Sequence, residues 1–286
     1  MSVEVEVEGN LLVIVNTQTD EGHIIKLLQP ASKVFIPRFV KYNRKKYKIN
    51  FIEGYAFQDR QIESIEFPKN SDVLSFEDYC FYGTHLKKLQ IPTNLVGLKD
   101  DWCSNLYDLT EIEVPKKNIY FLYLDQKFLI GKRSFRDKIY TNFHYARFDI
   151  IDAEIPPFIK VMKKYSFNNH PYVRSIVFPE NSELTTIQDY VIHNIPIQRL
   201  VLPANLEVIC RENFIKTPNL ADIQVSLNNN VYQVLDDRCL YRKSDKNTSI
   251  FDNLQLAPRD IQKVEIQSYV TTISFNAFYQ CNKIES

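Results

Sequence analysis

The chain has 286 residues, 44% of them hydrophobic and 24% charged, and its 35 basic and 35 acidic residues cancel. This composition predicts a folded core rather than a disordered chain, and zero net charge gives no electrostatic footprint for nucleic acid or for an anionic membrane surface. No stretch approaches the roughly 18 apolar residues of a membrane span. Only six glycines are present, which argues against glycine-rich phosphate loops.

The N-terminal region, residues 1–48, is predicted to form a hairpin or capping region. Its first residues alternate apolar and acidic side chains, a pattern typical of a strand and not of a signal peptide. Residues 3–15 and 24–36 look like a degenerate copy of the repeats that follow, and they end at Ile36-Pro37. Residues 41–48 are a basic insertion, for which a solvated loop is favoured over a contact with nucleic acid or phospholipid.

From residue 62 onward the chain repeats itself at an offset of 111 residues without a gap. The aligned pairs include Ile65 with Ile176, Pro68 with Pro179, Tyr79 with Tyr190, Pro92 with Pro203, Leu109 with Leu220, Asn118 with Asn229 and Phe167 with Phe278. Such self-similarity predicts stacked units, each of which cannot bury its apolar face alone. It favours a function based on binding along a surface.

Each 111-residue copy contains three shorter repeats, spaced 24 and then 23 residues apart. Their shared motif is apolar-x-x-apolar-x-apolar followed in five of six cases by proline, at residues 62–68, 86–92, 109–115, 173–179, 197–203 and 220–226. The alternation predicts parallel strands of an inner wall, and proline, which cannot donate a hydrogen bond, ends each strand. A second motif, as in Ile52-x-x-Tyr55-Ala-Phe57, predicts a short outer strand and an aromatic that fills the space between the walls.

These patterns divide the chain into consecutive segments of one continuous solenoid. After the N-terminal region come a first group of leucine-rich repeats (49–115), a hairpin insertion (116–157), a second group (158–226), a second hairpin insertion (227–268) and the start of a third group (269–286). The third group stops before its terminating proline. Because solenoids need capped ends, we expect this end to continue, to be covered by a partner, or to support self-association.

The repeat motifs resemble the BspA-like leucine-rich repeat family over about residues 49–286. The resemblance is carried by Ile187-Gln-Asp-Tyr-Val-Ile192, by Ile197-Gln-Arg-Leu-Val-Leu-Pro203 and by Asn276-Ala-Phe-Tyr-Gln-Cys281. It implies a mostly β fold, a right-handed leucine-rich-repeat solenoid with short helical or 3₁₀ turns and β-hairpin insertions between repeat groups. It also implies an adhesin-like, cell-surface protein. Several repeats lack the Ala-Phe of the family pattern, and no export signal is visible.

No catalytic, cofactor-binding or metal-binding motif is present. The five cysteines are odd in number and widely spaced, which favours small buried side chains over a disulfide framework or a metal site. Three of the five histidines precede inner strands, where a turn role is favoured: they are His85, His170 and His193. We therefore expect no enzyme, although an enzyme that uses a crevice between solenoid and hairpin remains an alternative.

The exposed positions of the inner strands are the candidate binding surface. In the first copy they form an acid–base–acid ladder of Glu63/Glu66, Lys87/Lys88 and Glu111/Glu113, which predicts cross-strand ion pairs. The second copy instead presents apolar positions beside arginines, a composition typical of protein interfaces. The predicted protein-binding residues are Arg174, Val177, Arg199, Val201 and Gln224.

The sequence thus predicts a protein partner, and neither nucleic acid binding nor membrane insertion. Without a signal peptide or membrane span the sequence alone indicates a cytoplasmic protein, whereas the family resemblance indicates the cell surface. An adhesin-like binding module, an intracellular scaffold and a purely architectural spacer therefore stay open at this point.

Overall fold

The computed structural model describes residues 1–7, 10–235 and 237–285. The chain divides into two compact units, Met1–Tyr140 with Tyr145–Phe148, and Thr141–His144 with Asp149–Ser286. Throughout the described residues the regular secondary structure is β-strand. The two units are therefore each built from stacked strands and turns.

The first unit has an inner wall of parallel strands and an outer wall that combines parallel strands with antiparallel hairpins. Its strands are β1 (Ser2–Val7), β2 (Leu11–Asn16), β3 (Glu21–Leu27), β4 (Lys33–Phe35), β5 (Phe39–Tyr42), β6 (Lys45–Ile52), β7 (Ser64–Glu66), β8 (Ser75–Phe76), β9 (Lys88–Gln90), β10 (Gly97–Leu98), β11 (Glu111–Glu113), β12 (Phe121–Leu124) and β13 (Phe128–Gly131). The inner sheet has the order β11-β9-β7-β4, and the outer sheet the order β1-β2-β3-β6-β8-β10, with β5 beside β6. The antiparallel pairs β1–β2, β2–β3, β5–β6 and β12–β13 form the hairpins.

The inner strands stack their central residues in register. Val34 lies opposite Ile65, Ile65 opposite Leu89, and Leu89 opposite Ile112. All four side chains are buried, because successive residues of a strand point to opposite faces and the central one faces the core. Most of the residues that flank them lie on the surface of the inner face, among them Lys33, Glu66, Glu111 and Glu113, whereas Ser64 is buried.

The second unit repeats this arrangement. Its strands are β14 (Asn142–Ala146), at the division between the units, β15 (Asp152–Glu154), β16 (Val161–Met162), β17 (Ser175–Val177), β18 (Thr186–Ile187), β19 (Arg199–Leu202), β20 (Val208–Ile209), β21 (Asp222–Val225), β22 (Tyr232–Val234), β23 (Leu240–Arg242), β24 (Asn253–Leu256) and β25 (Thr272–Ile273). The inner sheet is β15-β17-β19-β21, and β14, β16, β18 and β20 pair in parallel in the outer wall. A further sheet, β22-β23-β24-β25, contains the second hairpin.

Aromatic side chains fill the space between the walls, as the repeat motif predicts. Phe57 stacks on Phe81 with ring centroids 5.9 Å apart, and in the second unit Phe143 stacks on Phe167 at 5.3 Å. All four rings are fully buried. The leucine-rich-repeat solenoid predicted from the sequence is therefore the observed fold.

The short helical turns expected after the outer strands are instead chains of tight turns. In residues 53–60 the amides of Ala56 and Gln58 bond to carbonyls three residues back, while the amides of Phe57 and Asp59 bond to the next repeat. Tyr55 and Asp59 adopt left-handed backbone angles, φ 61° and 52°. A helix cannot continue through such residues, so alternate amides connect neighbouring repeats instead.

A buried asparagine fixes the turn that leads into each hairpin. Asn118 donates from Nδ2 to the carbonyls of Pro92 and Leu95, both at 3.0 Å, and its Oδ1 accepts from the amides of Tyr120 and Phe121. Asn229 makes the same four bonds, to Pro203, Leu206, Val231 and Tyr232. Both side chains use all their hydrogen-bonding capacity.

Candidate protein-binding face

The inner face of the first unit is covered by ion pairs. Lys87 Nζ lies 3.0 Å from Glu63 Oε1, and Lys88 Nζ lies 2.6 Å from Glu111 Oε1. The hydrogen bond from Lys88 to Glu111, with the attraction between their charges, raises the pKa of the Lys88 ammonium. The predicted acid–base–acid ladder is therefore confirmed. Since these side chains are exposed, the pairs add little stability, and they leave the face polar.

The inner face of the second unit carries an apolar row. Val177 lies opposite Val201, and Val201 lies opposite Gln224. Both valines are half-buried, and Glu154 lies opposite Val177 at the other end of the row. Parallel strands are about 4.8 Å apart, so the two valines form one continuous apolar strip across the middle of the face.

Arg199 lies beside this strip and is held by two partners on the next strand. Its Nε is 3.1 Å from Asp222 Oδ2, and its Nη2 donates to Gln224 Oε1 at 3.2 Å. Gln224 Nε2 in turn donates to Asp222 Oδ1 at 3.0 Å. These contacts orient the guanidinium, and about half of the Arg199 side chain remains exposed. We name the surface formed by Arg174, Val177, Arg199, Val201 and Gln224 the valine–arginine face.

Arg174 occupies the margin of this face. It precedes β17, its Nη1 donates to the carbonyl of Pro171 at 3.4 Å, and its own carbonyl accepts from the amide of Gln198. The structure therefore brings four of the five predicted residues together on β17, β19 and β21, while Arg174 stands at the edge where β17 begins.

Sequence reasoning did not identify the lining of a crevice on the second unit. The crevice has a volume of about 380 Å³ and lies among the segments 209–214, 253–255 and 272–276 and the end of β23. Its lining mixes arginines, amides, hydroxyls and apolar side chains, namely Ile209, Cys210, Arg211, Asn213, Phe214, Arg242, Asn253, Gln255, Thr272, Ile273, Ser274, Phe275 and Asn276. The 111-residue offset could have indicated it, since several of these positions differ from their counterparts in the first copy.

The titratable groups of the crevice are a thiol and two guanidinium groups. Burial, with the nearby charge of Asp189, raises the pKa of the Cys210 thiol. The lining contains neither a carboxylate nor a histidine, so it brings no acid–base pair together. Within residues 1–7, 10–235 and 237–285, no group of three His, Cys, Asp or Glu side chains is placed to hold a metal ion.

The fold places the chain among the leucine-rich-repeat proteins. A family model for the BspA type leucine rich repeat region, with six copies, matches residues 40–124, 137–258 and 248–286. The chain therefore belongs to the BspA-type leucine-rich-repeat family. No curated protein sequence matches it significantly.

Two solved bacterial structures are similar in fold. A leucine rich cell surface protein from Faecalibacterium prausnitzii A2-165 is 17% identical, with a TM-score of 0.57 over 100% of this chain and 75% of that one. A leucine-rich repeat protein from Eubacterium ventriosum ATCC 27560 is 15% identical, with a TM-score of 0.56 over 100% of this chain and 84% of that one. Among the described residues, no helix is long and apolar enough to span a membrane.

Proposed function

We propose that this chain is a non-enzymatic, adhesin-like module that binds a protein partner through the valine–arginine face. The observation that carries the proposal is the contrast between the two inner faces. The first is paired off by Lys87–Glu63 and Lys88–Glu111, whereas the second exposes the Val177–Val201 strip beside an oriented arginine. Apolar strips with arginine at their border are typical of protein interfaces.

The energetics favour a partner that covers the strip and pairs with Arg199. Burying the exposed part of two valines contributes a modest hydrophobic gain, since each buried methylene is worth about 0.8 kcal/mol. The guanidinium is already held by Asp222 and Gln224, so less side-chain entropy is lost when a hydrogen-bond acceptor of the partner approaches its exposed part. Membership of the BspA-type family supports the finer part of the proposal, an encounter at the cell surface.

The test of the face is a pair of substitutions, one of which reproduces the residue found at the corresponding position of the first copy. Position 201 corresponds to Gln90 of the first copy, so Val201→Gln is compatible with the fold. Val177→Gln avoids placing a second carboxylate beside Glu154. We expect the double variant to lose at least tenfold in affinity for extracellular matrix proteins that the wild type binds in surface plasmon resonance. Glu111→Gln, on the paired face of the first unit, is the matched control.

Equal losses in both variants, or none in the double variant, would contradict the proposed face. The cellular part is tested by protease shaving of intact source cells followed by immunoblotting. Loss of the band from intact cells supports adhesion. A band that survives until lysis identifies an intracellular scaffold instead.

A further inference from the structure

Most of the residues that line the crevice of the second unit differ from their counterparts in the first copy of the 111-residue repeat. In the first copy, Trp102 is buried and packs edge-on against Phe81 and Tyr145, with ring centroids 6.4 and 6.0 Å apart. At the offset of 111 residues, Trp102 corresponds to Asn213, which lines the crevice, and Tyr145 corresponds to Leu256. At these two positions the second copy carries smaller side chains than the aromatic rings of the first copy, whereas Phe214 of the lining stands where the first copy has the smaller Cys103.

Both arginines of the crevice are also specific to the second copy. Arg211 corresponds to Asp100 and Arg242 to Gly131, so the fold of a repeat does not require either guanidinium. Neither forms an ion pair with a described carboxylate, in contrast to Arg199. Arg242 Nε is buried and makes no hydrogen bond to a described residue. Two guanidinium groups that form no ion pair with a described carboxylate, placed in one lining, favour an anionic ligand.

The neutral part of the lining offers two hydrogen-bonding groups that no described residue uses. Gln255 Nε2 donates to Asn253 Oδ1 at 2.7 Å and to Ser274 Oγ at 2.9 Å. These contacts fix the two amides and leave Asn253 Nδ2 and Gln255 Oε1 without hydrogen bonds to described residues. A fixed donor beside a fixed acceptor suits a ligand that carries hydroxyl groups.

An exposed ring stands at the rim of the crevice. Phe275 is 98% exposed, and its neighbour Ile273 is 48% exposed. The counterpart of Phe275 in the first copy is Lys164, so the ring is not part of the repeat frame. An aromatic face of this kind can cover the apolar face of a small ring-shaped ligand, which would bury surface that is otherwise in water.

We propose that this crevice binds a carboxylate-bearing sugar. Arg242 and Arg211 bind the carboxylate, the Asn253 and Gln255 amides bind ring hydroxyls, and Phe275 covers the apolar face of the sugar ring. The volume of about 380 Å³ is at the lower end of small-ligand pockets, which fits one sugar residue. The site is independent of the valine–arginine face and of its protein partner.

Isothermal titration of the full chain with glucuronate, with glucose as the neutral analogue, tests the proposal. We expect glucuronate to bind and glucose to bind at least tenfold more weakly, since charge-assisted bonds to guanidinium contribute roughly a factor of ten or more. Arg242→Gln is expected to reduce glucuronate binding at least tenfold, and Phe275→Ala to weaken both sugars. Arg133→Gln changes an exposed arginine on the first unit and is the matched control.

Alkylation of Cys210 gives a second measurement that locates the ligand. Cys210 lines the crevice, and the other partly exposed thiol, Cys281, is outside the lining and is an internal reference. Bound glucuronate is expected to slow iodoacetamide labelling of Cys210 and to leave Cys281 unchanged, as measured by peptide mass spectrometry. Protection that persists in Arg242→Gln would contradict the assigned role of that arginine.

Three results would overturn the proposal. They are no binding of any acidic sugar at millimolar concentration, equal affinity for glucose and glucuronate, and binding of a short Asp/Glu peptide in preference to glucuronate with the same protection of Cys210. A variant that unfolds is recognised by its circular dichroism, and Arg211→Gln, at an exposed position, then provides the same comparison.

Discussion

Replacing Asn118 tests whether one buried amide holds the junction between a repeat group and its hairpin. Its four hydrogen bonds connect the turn at residues 92–95 to the start of β12, and the side chain is 5% exposed. Asn118→Ala removes the side-chain amide and so breaks all four hydrogen bonds at once. Asn118→Asp keeps the two acceptor contacts but turns a carboxylate oxygen toward two backbone carbonyls.

The magnitude follows from the groups left unpaired. Asn118→Ala leaves two carbonyls and two amides without partners, and each such buried group costs about 1–3 kcal/mol. Local relaxation and entry of water recover part of this, so we expect a loss of roughly 4 kcal/mol. For Asn118→Asp the loss depends on pH. The native state disfavours the ionised carboxyl and raises its pKa above the unfolded value, so the variant is most stable at low pH and loses stability as pH rises.

Hydrogen exchange of the two amides that donate to Asn118 Oδ1 is the most direct assay. A single melting temperature is less informative because a chain of two compact units need not unfold in one step. The Tyr120 and Phe121 amides should exchange about 10³-fold faster in Asn118→Ala, since each 1.4 kcal/mol is a factor of ten. Asn229→Ala should do the same for the Val231 and Tyr232 amides.

The exposed Asn219 supplies the control for the charge change, because Asn219→Asp alters a surface side chain only. Exchange accelerated less than fivefold in Asn118→Ala would refute the reasoning. So would an Asn118→Asp variant whose stability, compared with wild type, does not improve as pH falls.

Three further predictions rest on the surroundings of particular titratable side chains. Arg259→Ala should lower the free energy of opening of the second unit by about 3 kcal/mol, measured by hydrogen exchange of its amides, because the buried guanidinium donates to several backbone carbonyls; a loss below about 1 kcal/mol would contradict this. Hydrogen bonds from the Ser244 hydroxyl and amide lower the pKa of Asp252 to about 2. The contribution of ionised Asp252 to folding stability is therefore present above the ordinary pKa of 3.8 and is lost as pH falls toward 2. The urea midpoint of Asp252→Asn should therefore change less with pH than that of the wild type between pH 3.8 and about 2. Burial raises the pKa of the Cys80 and Cys103 thiols, so both should react with iodoacetamide only after unfolding; reaction in the native protein as fast as the crevice thiol would be inconsistent with their burial.

The strand register was predictable because two independent signals coincide. Alternating apolar residues identify the face of each inner strand, and the prolines mark where the strands end. With the 24- and 23-residue spacings, these signals place Ile65 beside Leu89 and Leu89 beside Ile112, as observed. The ion pairs of the first face follow from the same register, because they need only neighbouring strands with opposite charges.

The turns were less predictable because the residue types at these positions do not indicate their backbone conformation. Tyr55, Tyr79, Tyr165 and Tyr190 all have φ near 60°, a region usually occupied by glycine or asparagine. A tyrosine in the sequence does not indicate this conformation. The conformation is imposed by stacking between repeats, because the Tyr55 and Tyr79 rings lie 5.1 Å apart and nearly parallel. Tertiary packing therefore replaced the short helices that local sequence suggested.

The candidate sites required knowledge of side-chain direction. Arg199 and Val201 were recognisable as surface positions of one strand, but the bonds from Arg199 to Asp222 and Gln224 depend on rotamers. The crevice draws its lining from residues 209 to 276, which no single repeat motif contains. Spacing predicts neighbours along a stack, whereas it does not reveal where a smaller side chain leaves room for a ligand.

Comparison between the two copies separates residues that build the repeat from residues available for function. Asn118 and Asn229 occupy the same offset and make the same four bonds, so their identity follows from folding. Arg211 and Arg242 differ from their counterparts, make no ion pair with a described carboxylate and line a crevice. A duplicated frame can stabilise one copy while the other varies, because each repeat contacts mainly its neighbours. The second copy, which carries both the valine–arginine face and the crevice, is therefore where binding specificity is expected to lie.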